Sequence, residues 1–363
     1  MIRVLHVVNR MGYGGIEAFI MNLYRNIDRN KIQFDFAVHS EVKGEYDQEI
    51  EKLGGKIFYF HSRRSSFIRY YNDWKKFLKN NASTYTAIHM HVSSLTTILP
   101  IKLAKKYCIK NRILHAHSTL QSGLIHRVLI KINVKRVKKY ATVLLACSTE
   151  AGNYVFERNN FKILHNGIEV KKYEFDENER NIVRKELYIQ NDELALVHVG
   201  RFTYAKNHQF LIDVFQEINK INPKSKLFLV GDGELKNEIL KKVSKINLLE
   251  NVKFLNNRND VYRILQGMDV FVFPSNFEGL PIAMIEAQAS GLPIFASTNI
   301  SQEVKISSLV RFISLSKRPN KWAKIILNKD EYIQKREKMG KIITKEGYDI
   351  IDSARKISEI YCD

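Results

Sequence analysis

Short runs of β-branched and other apolar residues alternate along this chain with longer segments whose apolar positions recur at helical spacing. The runs in the first half are Arg3–Val8, Gln33–Val38, Lys56–Phe60, Ala87–His91, Arg112–His115, Val143–Ala146 and Lys162–Leu164. A charged stretch at Lys171–Arg180 interrupts them. The alternation then resumes with Leu194–Val199, Lys226–Val230, Val252–Leu255, Val270–Phe273, Pro293–Ala296 and Val310–Ile313. Strand-helix alternation predicts parallel sheets covered by helices on both faces. Repeated around a polar break near 167–190, it predicts an α/β chain of two doubly wound domains. From about Lys317 onward the pattern is helical only. Ligands of such sheets bind beyond the carboxyl ends of the strands, so the loop after each run is where chemistry is expected. With two domains, the cleft between them is the expected site.

The loop after Val270–Phe273 opens the segment Pro274–Pro293, PSNFEGLPIAMIEAQASGLP. Pro281 suits a first helical position, and Gly291 followed by Pro293 marks the stop. Glu278 then lies in a loop before a helix and Glu286 lies inside that helix. Eight fully helical steps would separate them by about 12 Å, beyond the roughly 5 to 9.5 Å of a glycosidase pair. The two carboxylates are placed to hold two ends of an extended ligand rather than to share a proton. Apolar neighbours on both sides of Glu286 argue against a freely solvated carboxylate there.

After the first run comes Asn9–Glu17, NRMGYGGIE, followed by helical spacing at Ile16, Phe19, Ile20 and Leu23. Gly14 and Gly15 permit close backbone approach, and a helix N-terminus attracts phosphate. The spacing is not that of a dinucleotide fingerprint, and a plain tight turn accounts for it equally well. After Leu194–Val199 comes Gly200–His208, GRFTYAKNH. Arg201 and Lys206 there suit a diphosphate, Arg as a fork and Lys as a point charge. Gly231–Glu234, GDGE, reads as a turn and helix start. Two His-x-His pairs, His89/His91 and His115/His117, end predicted strands, and alternation puts each pair on one face. No carboxylate or Cys stands near either pair in sequence, so non-metal roles are expected. No Asp-x-Asp occurs in the chain.

The 363 residues exceed what one core usually holds, which again points to two domains. Composition is that of a soluble globular protein, 45% hydrophobic and 26% charged. The first strand is too short and polar for a signal peptide, and no apolar stretch reaches about eighteen residues. Three scattered cysteines fit a reducing cytoplasm. The net charge of +20 is uneven: residues 1–165 hold 27 Lys+Arg against 11 Asp+Glu, and residues 166–363 hold 31 against 27. Between Asp73 and Glu150 there are 14 Lys+Arg and no acid. A one-sided field asks for an anionic partner, nucleic acid or membrane. Leu124–Lys139, LIHRVLIKINVKRVKK, reads as a basic amphipathic helix with Leu124, Val128, Ile132 and Val137 opposite part of its charge. Its cations are Arg127, Lys131, Lys135, Arg136, Lys138 and Lys139, and Arg63 and Arg64 add to them. This composition favours an anionic membrane surface; recognisable nucleic-acid motifs are absent.

Taken together, GGIE, the HMH and HAHS pairs, HNGIE (165–169), GRFTYAKNH, GDGEL and PSNFEGLPIAMIEAQASGLP resemble the retaining glycosyltransferases of family four, over roughly Ile2 to Ser297 in the same order. The nearest likeness is to bacterial enzymes of capsular and exopolysaccharide synthesis. The resemblance implies the GT-B fold: two facing Rossmann-like domains, 1–170 on the acceptor and membrane side and 171–345 for the nucleotide sugar, with 346–363 crossing back as a helix. It implies that Glu278 holds sugar hydroxyls and Glu286 the ribose. It implies that Arg201 and Lys206 bind the diphosphate, with amides of Gly14 and Gly15, and that backbone at Gly279 and Leu280 lines the sugar. His117 matches the active-site histidine, with His115 as an alternate alignment. The family needs no metal or other cofactor. The donor expected by default is a UDP-sugar, the acceptor a lipid-linked saccharide, and the location the inner face of the cell membrane. A same-fold epimerase or hydrolase, and a non-catalytic membrane scaffold, are the alternatives.

Overall fold

The computed structural model describes residues 1–12, 14–117, 124–328 and 336–362, with all their side chains except those of 124–127. Leu124 and Arg127 of the basic segment therefore lie outside the described side chains. The chain divides into two compact units, Met1–Gly167 with Asp349–Asp363, and Ile168–Tyr348.

The first unit is built on seven strands: β1 (Ile2–Val8), β2 (Ile32–Val38), β3 (Ile57–Tyr59), β4 (Ala87–Val92), β5 (Asn111–Ala116), β6 (Val143–Ala146) and β7 (Lys162–Ile163). They pair in the order β3-β2-β1-β4-β5-β6-β7, every neighbour parallel. Near-continuous burial of β1, β2, β4 and β5 explains why these runs carry apolar residues on both faces, with Gln33, Asp35 and the histidines as buried polar exceptions. One face packs on Trp74, Leu78, Ile101, Val134 and Val137. The other packs on Phe19, Ile20 and Leu23 of helix Gly15–Asn26 and on Ile350, Ile357 and Tyr361 of the C-terminal helix Ile350–Cys362.

The second unit repeats the plan with β8 (Leu194–Val199), β9 (Ser225–Val230), β10 (Val252–Asn256), β11 (Val270–Phe273), β12 (Ile294–Ser297) and β13 (Val310–Ile313). Their order is β10-β9-β8-β11-β12-β13, again parallel. In each sheet the order reverses once, between β1 and β4 and between β8 and β11. Such a switch point is where the loops after two adjacent strands part and leave a crevice.

The boundary of the units is set by close backbone contacts. The Tyr348 carbonyl accepts from Ile168 N–H at 2.9 Å within the second unit. A Cβ on Gly167 would stand 2.8 Å from Ile350 Cα within the first. The chain thus returns at Asp349, three residues later than the expected 346.

One local expectation is corrected. Pro281 is the residue before helix Ile282–Ala289, with extended backbone, not its first turn. Its φ of −73 suits either place, and the helix starts where the chain first turns back on itself. In the helix Leu124–Tyr140, Val128 and Ile132 of the apolar stripe are 61% and 41% exposed, as is Leu129 at 40%, while Val137 of that stripe faces the core with Val134. The outward face therefore carries apolar residues beside Lys131, Lys135 and Arg136.

Candidate functional site

In the second unit the loops after β8 and β11 are stitched together at the switch point. Asn276 N–H donates to the Ala205 carbonyl at 2.8 Å, and the Asn276 amide donates to the Tyr204 carbonyl at 2.7 Å. The Asn207 amide donates to the Pro274 carbonyl at 3.1 Å, from a left-handed backbone (φ 55) that Asn tolerates. These bonds bring Lys206 to Glu278, with Nζ 2.7 Å from Oε1. The same ammonium sits 4.5 Å from the centre of the Phe273 ring, a favourable cation-π contact. The two side chains keep only 17% and 22% exposure. A half-dry ion pair holds both charges ready where an isolated one would be costly.

Glycine supports this arrangement at two places. The Lys206 stem lies over Gly200, where a Cβ would be 3.0 Å from Cδ and Cε. Gly231 has φ +139, and its Cβ would fall 2.3 Å from the Gly200 carbonyl oxygen. GDGE is thus more than a turn: only glycine lets it pass so near the Lys206 loop.

Arg201 stands apart from Lys206. Its side chain is 70% exposed and its ion-pair partner is Glu234, at 3.6 Å. The two cations of this loop therefore differ: Lys206 is held in a half-buried pair, and Arg201 stays largely in solvent. Gly279 and Leu280 follow Glu278, whose carbonyl accepts from Ser301 N–H at 3.2 Å. Leu280 leans on the core, so only the backbone of that turn is available to a ligand.

Glu286 projects from the helix Ile282–Ala289. Burial raises its carboxyl pKa, opposed by a hydrogen bond that Tyr173 Oη donates to Oε1 at 2.6 Å. Tyr173 arrives from 113 residues away in sequence, and no pattern in the chain foretells it. The helix ends in a Schellman turn, with Gly291 N–H bonded to Gln288 O, Leu292 N–H to Ala287 O, and Gly291 at φ +70. Arg336 closes that end by donating to the Ser290 carbonyl at 3.0 Å, while its guanidinium stacks 4.0 Å from the Phe175 ring. Burial lowers its pKa to about 9.

In the first unit Gly14 caps helix Gly15–Asn26 without a side-chain bond, leaving amides at its N-terminus. Glu17 bends back over them, its Oε2 only 2.2 Å from where a Gly14 Cβ would be. Burial raises the Glu17 pKa, against a bond to its own backbone. The chain's own carboxylate lies at the place expected for phosphate, which GGIE as a motif did not reveal.

Five histidines gather on the switch strands. Register sets His6 of β1 beside His89 of β4, and His91 beside His115 of β5. His117 directly follows β5. His6 Nδ1 is 3.0 Å from His91 Nε2, and His91 Nδ1 is 2.9 Å from His117 Nε2. His89 Nδ1 is 2.6 Å from Tyr361 Oη of the C-terminal helix. Burial drives all five pKa values down, to about 3 for His6 and His117, with the Asn166 amide opposing at His117. Neither His117 Nδ1 nor Asn166 Oδ1 closes a bond of good geometry, so their interaction is a near contact. His6, His89 and His91, and likewise His91, His115 and His117, offer nitrogens within 4.8 Å of one another, a spacing open to a metal ion. Sequence reading found the two pairs but missed His6, which no His-x-His spacing announces.

Arg63 is half-buried and donates to the Thr96 carbonyl at 2.9 Å. Arg64 is exposed beside exposed Phe67 and Ile68. Lys131, Lys135, Arg136, Lys138 and Lys139 are exposed on their helix, and the Lys139 carbonyl accepts from Lys105 Nζ. Among the described residues no helix is long and apolar enough to cross a membrane.

The sequence pattern described as "Glycosyl transferases group 1" matches residues 179–345. The protein described as "Putative glycosyltransferase EpsF" of Bacillus subtilis (strain 168) is 33% identical over 370 residues, covering 99% of this chain and 96% of that protein. The capsular polysaccharide biosynthesis glycosyltransferase CapH of Staphylococcus aureus is 26% identical, covering 99% of each. The UDP-Gal:alpha-D-GlcNAc-diphosphoundecaprenol alpha-1,3-galactosyltransferase of Escherichia coli is 28% identical, covering 55% of this chain and 54% of that one. Among solved structures, Anabaena Alr3699/HepE in complex with UDP superposes with a TM-score of 0.80 at 16% identity, covering 99% of each chain. Two Rossmann-like parallel sheets of this topology are the GT-B fold, and the chain belongs to the group 1 glycosyltransferases.

Proposed function

We infer that this enzyme is a retaining transferase that moves a hexose or N-acetylhexosamine from a UDP-sugar to a lipid-linked saccharide in capsular or exopolysaccharide assembly, without a metal. The observation that carries this reading is the half-dry Lys206–Glu278 pair at the β8/β11 switch point. A diphosphate arriving there takes Lys206 as its counter-ion and releases Glu278 to accept from sugar hydroxyls. Glu286, held by Tyr173, retains lone pairs for the ribose hydroxyls. Arg201, largely exposed, turns from Glu234 to close on the diphosphate, and the Gly15 amide at the helix start adds an N–H donor once Glu17 moves aside, the Gly14 N–H being held by the Gly12 carbonyl. His117 contacts the donor sugar.

The acceptor hydroxyl oxygen bonds to the anomeric carbon on the face from which the phosphate leaves. The carbon–oxygen bond to the diphosphate breaks, and the acceptor proton passes to the departing phosphate oxygen. Lys206 and Arg201 neutralise the charge that grows on the diphosphate, a contribution made chiefly in the transition state. Lys206 supplies the positive charge a metal ion would otherwise bring.

Relatives support the finer assignments. One is named for capsular polysaccharide, one for UDP-Gal and a diphosphoundecaprenol acceptor, and a fold neighbour was solved with UDP. The exposed Val128, Leu129 and Ile132 among lysines, with Phe67 and Ile68 beside Arg64, support docking at an anionic cytoplasmic membrane face.

The test is incubation with a panel of nucleotide sugars and an undecaprenyl-diphosphate saccharide in anionic vesicles, with and without EDTA. UDP release and an α-linked product in both conditions are expected. Release of nucleotide that depends on EDTA-sensitive metal, or product of inverted configuration, would sink the reading.

A further inference from the structure

His6, His91 and His117 form a hydrogen-bonded row across three elements of one sheet, and a row of neutral imidazoles has only two self-consistent proton arrangements. A neutral ring carries one N–H and one lone pair. If His6 Nδ1 donates to His91 Nε2, then His91 Nδ1 donates to His117 Nε2, and His117 Nδ1 carries the last N–H. If the direction reverses, every Nε2 carries the proton, His117 Nδ1 is a bare lone pair, and His6 Nε2 carries the last N–H. No mixed state satisfies both contacts of 3.0 and 2.9 Å.

The ends of the row decide the direction. His6 Nε2 is buried with no partner. It is walled in by Phe34, Phe36 and the edge of Tyr361. A buried N–H with nothing to donate to is rarer than a buried lone pair. At the other end His117 Nδ1 lies near Asn166, whose Oδ1 is a buried acceptor with no partner of its own. An N–H on Nδ1 is drawn to that oxygen even short of a well-formed hydrogen bond, whereas a lone pair there is repelled by it. Both ends select the same arrangement.

We propose that His6 and His91 are positioning residues that fix His117 as the Nδ1–H tautomer, so that His117 serves the site as a hydrogen-bond donor and never as a base. The buried environment agrees, because rings of such low basicity stay neutral at pH 7. His89 and His115 flank the row without joining it: His89 is turned to Tyr361, and His115 stacks 4.0 Å from His117. A metal ion is the less fitting occupant. Two of the nitrogen pairs already stand at hydrogen-bond distance, and no carboxylate or thiolate joins either trio to offset a buried double charge. The consequence for turnover rests on the sugar-contacting role of His117; the proton arrangement does not.

The experiment is long-range 1H–15N correlation of the full chain labelled at histidine, with His117 assigned through His117→Asn. The expected result at pH 7 is Nδ1–H for His6, His91 and His117. In His6→Asp an acceptor faces His91 Nε2, so the row reverses and His117 should show Nε2–H. His6→Asn, whose amide nitrogen replaces Nδ1–H, should keep Nδ1–H at His117, which also controls for a misfolded aspartate variant. With donor and acceptor present, kcat should fall roughly tenfold in His6→Asp, the size expected of an outer-shell partner, with KM for the nucleotide sugar unchanged and the asparagine variant active. A wild-type His117 found as Nε2–H or as imidazolium overturns the proposal. So does stoichiometric cobalt uptake with a visible d–d band, which would make the cluster a metal site. If no sugar is transferred at all, the spectra still decide the tautomer and only the functional reading fails.

Discussion

The two sheets share a topology and differ in what they bury at the switch strands. The first unit places neutral imidazoles on β1, β4 and β5, linked ring to ring. The second places an ammonium and a carboxylate after β8 and β11, linked to each other. Both address the same problem, polar groups kept out of water before a ligand comes, by pairing groups from different elements: His6 with His91, His91 with His117 and His89 with Tyr361 in one, Lys206 with Glu278 in the other. The imidazoles do so without net charge and lie inside the sheet. The ion pair needs partial hydration and lies in the loops beyond it. The difference teaches that the topology fixes where polar groups meet, while their charge fixes how deep they sit.

Acid should separate the units most strongly. The first holds His6 and His117 at about 3 and His39 at about 4, besides His89, His91 and His115, also lowered; the second holds His208 at about 3 and a lowered His198. Unfolded rings take protons below about pH 6.5 that folded rings refuse, so stability is full above that pH and is lost as pH falls. Each ring contributes up to ~1.4 kcal/mol per pH unit. Each unit has one tryptophan, Trp74 in the first and Trp322 in the second, so single-tryptophan variants report them separately. On acid titration the Trp74 signal should change at the higher pH; coincident transitions would break the comparison.

Lys206→Ala should lower kcat by about 10² to 10³, the scale of losing one preorganised charge partner, whereas Arg201→Ala should cost only about tenfold, since its side chain must first be ordered. Equal losses in steady-state kinetics would mean that both cations are fixed in the working enzyme. Gly231→Ala forces a methyl to within 2.3 Å of the Gly200 carbonyl at φ +139. It should cost about 2 to 3 kcal/mol in urea unfolding and displace the Lys206 loop. Tyr173→Phe removes one bond to Glu286 and should cost about 1 kcal/mol, with weaker UDP binding by calorimetry. The smallest change is Val128→Asp with Ile132→Asp. Melting should shift little, because both residues are solvent-exposed, yet sedimentation with anionic vesicles should drop. Unchanged sedimentation would move the membrane contact elsewhere.

Much of the scaffold was legible. All thirteen strands of the described residues fall on the runs read from the sequence, with no end moved by more than one residue, because parallel strands buried on both faces are predominantly apolar. Lys206, Glu278 and Glu286 were legible as candidates by their places at strand ends. Other details were left open by a common cause. In the segment Leu124–Lys139 helical spacing alone cannot say which apolar residues meet the sheet; Val134 and Val137 do, while Val128 and Ile132 stay outward. Arg201 and Lys206 look equivalent in a loop until one is drawn over Gly200 and the other left in solvent.

By itself, the sequence determined the two sheets, the loops in which polar chemistry sits, and the glycines those loops require, since all of these follow from local periodicity and backbone freedom. Only the tertiary structure decided the partners: Tyr173 for Glu286, His6 for His91, and Tyr361 for His89. Those residues are joined by strand order and register or by a fold in the chain, and a hydrogen bond between distant segments leaves no periodicity for a sequence to carry.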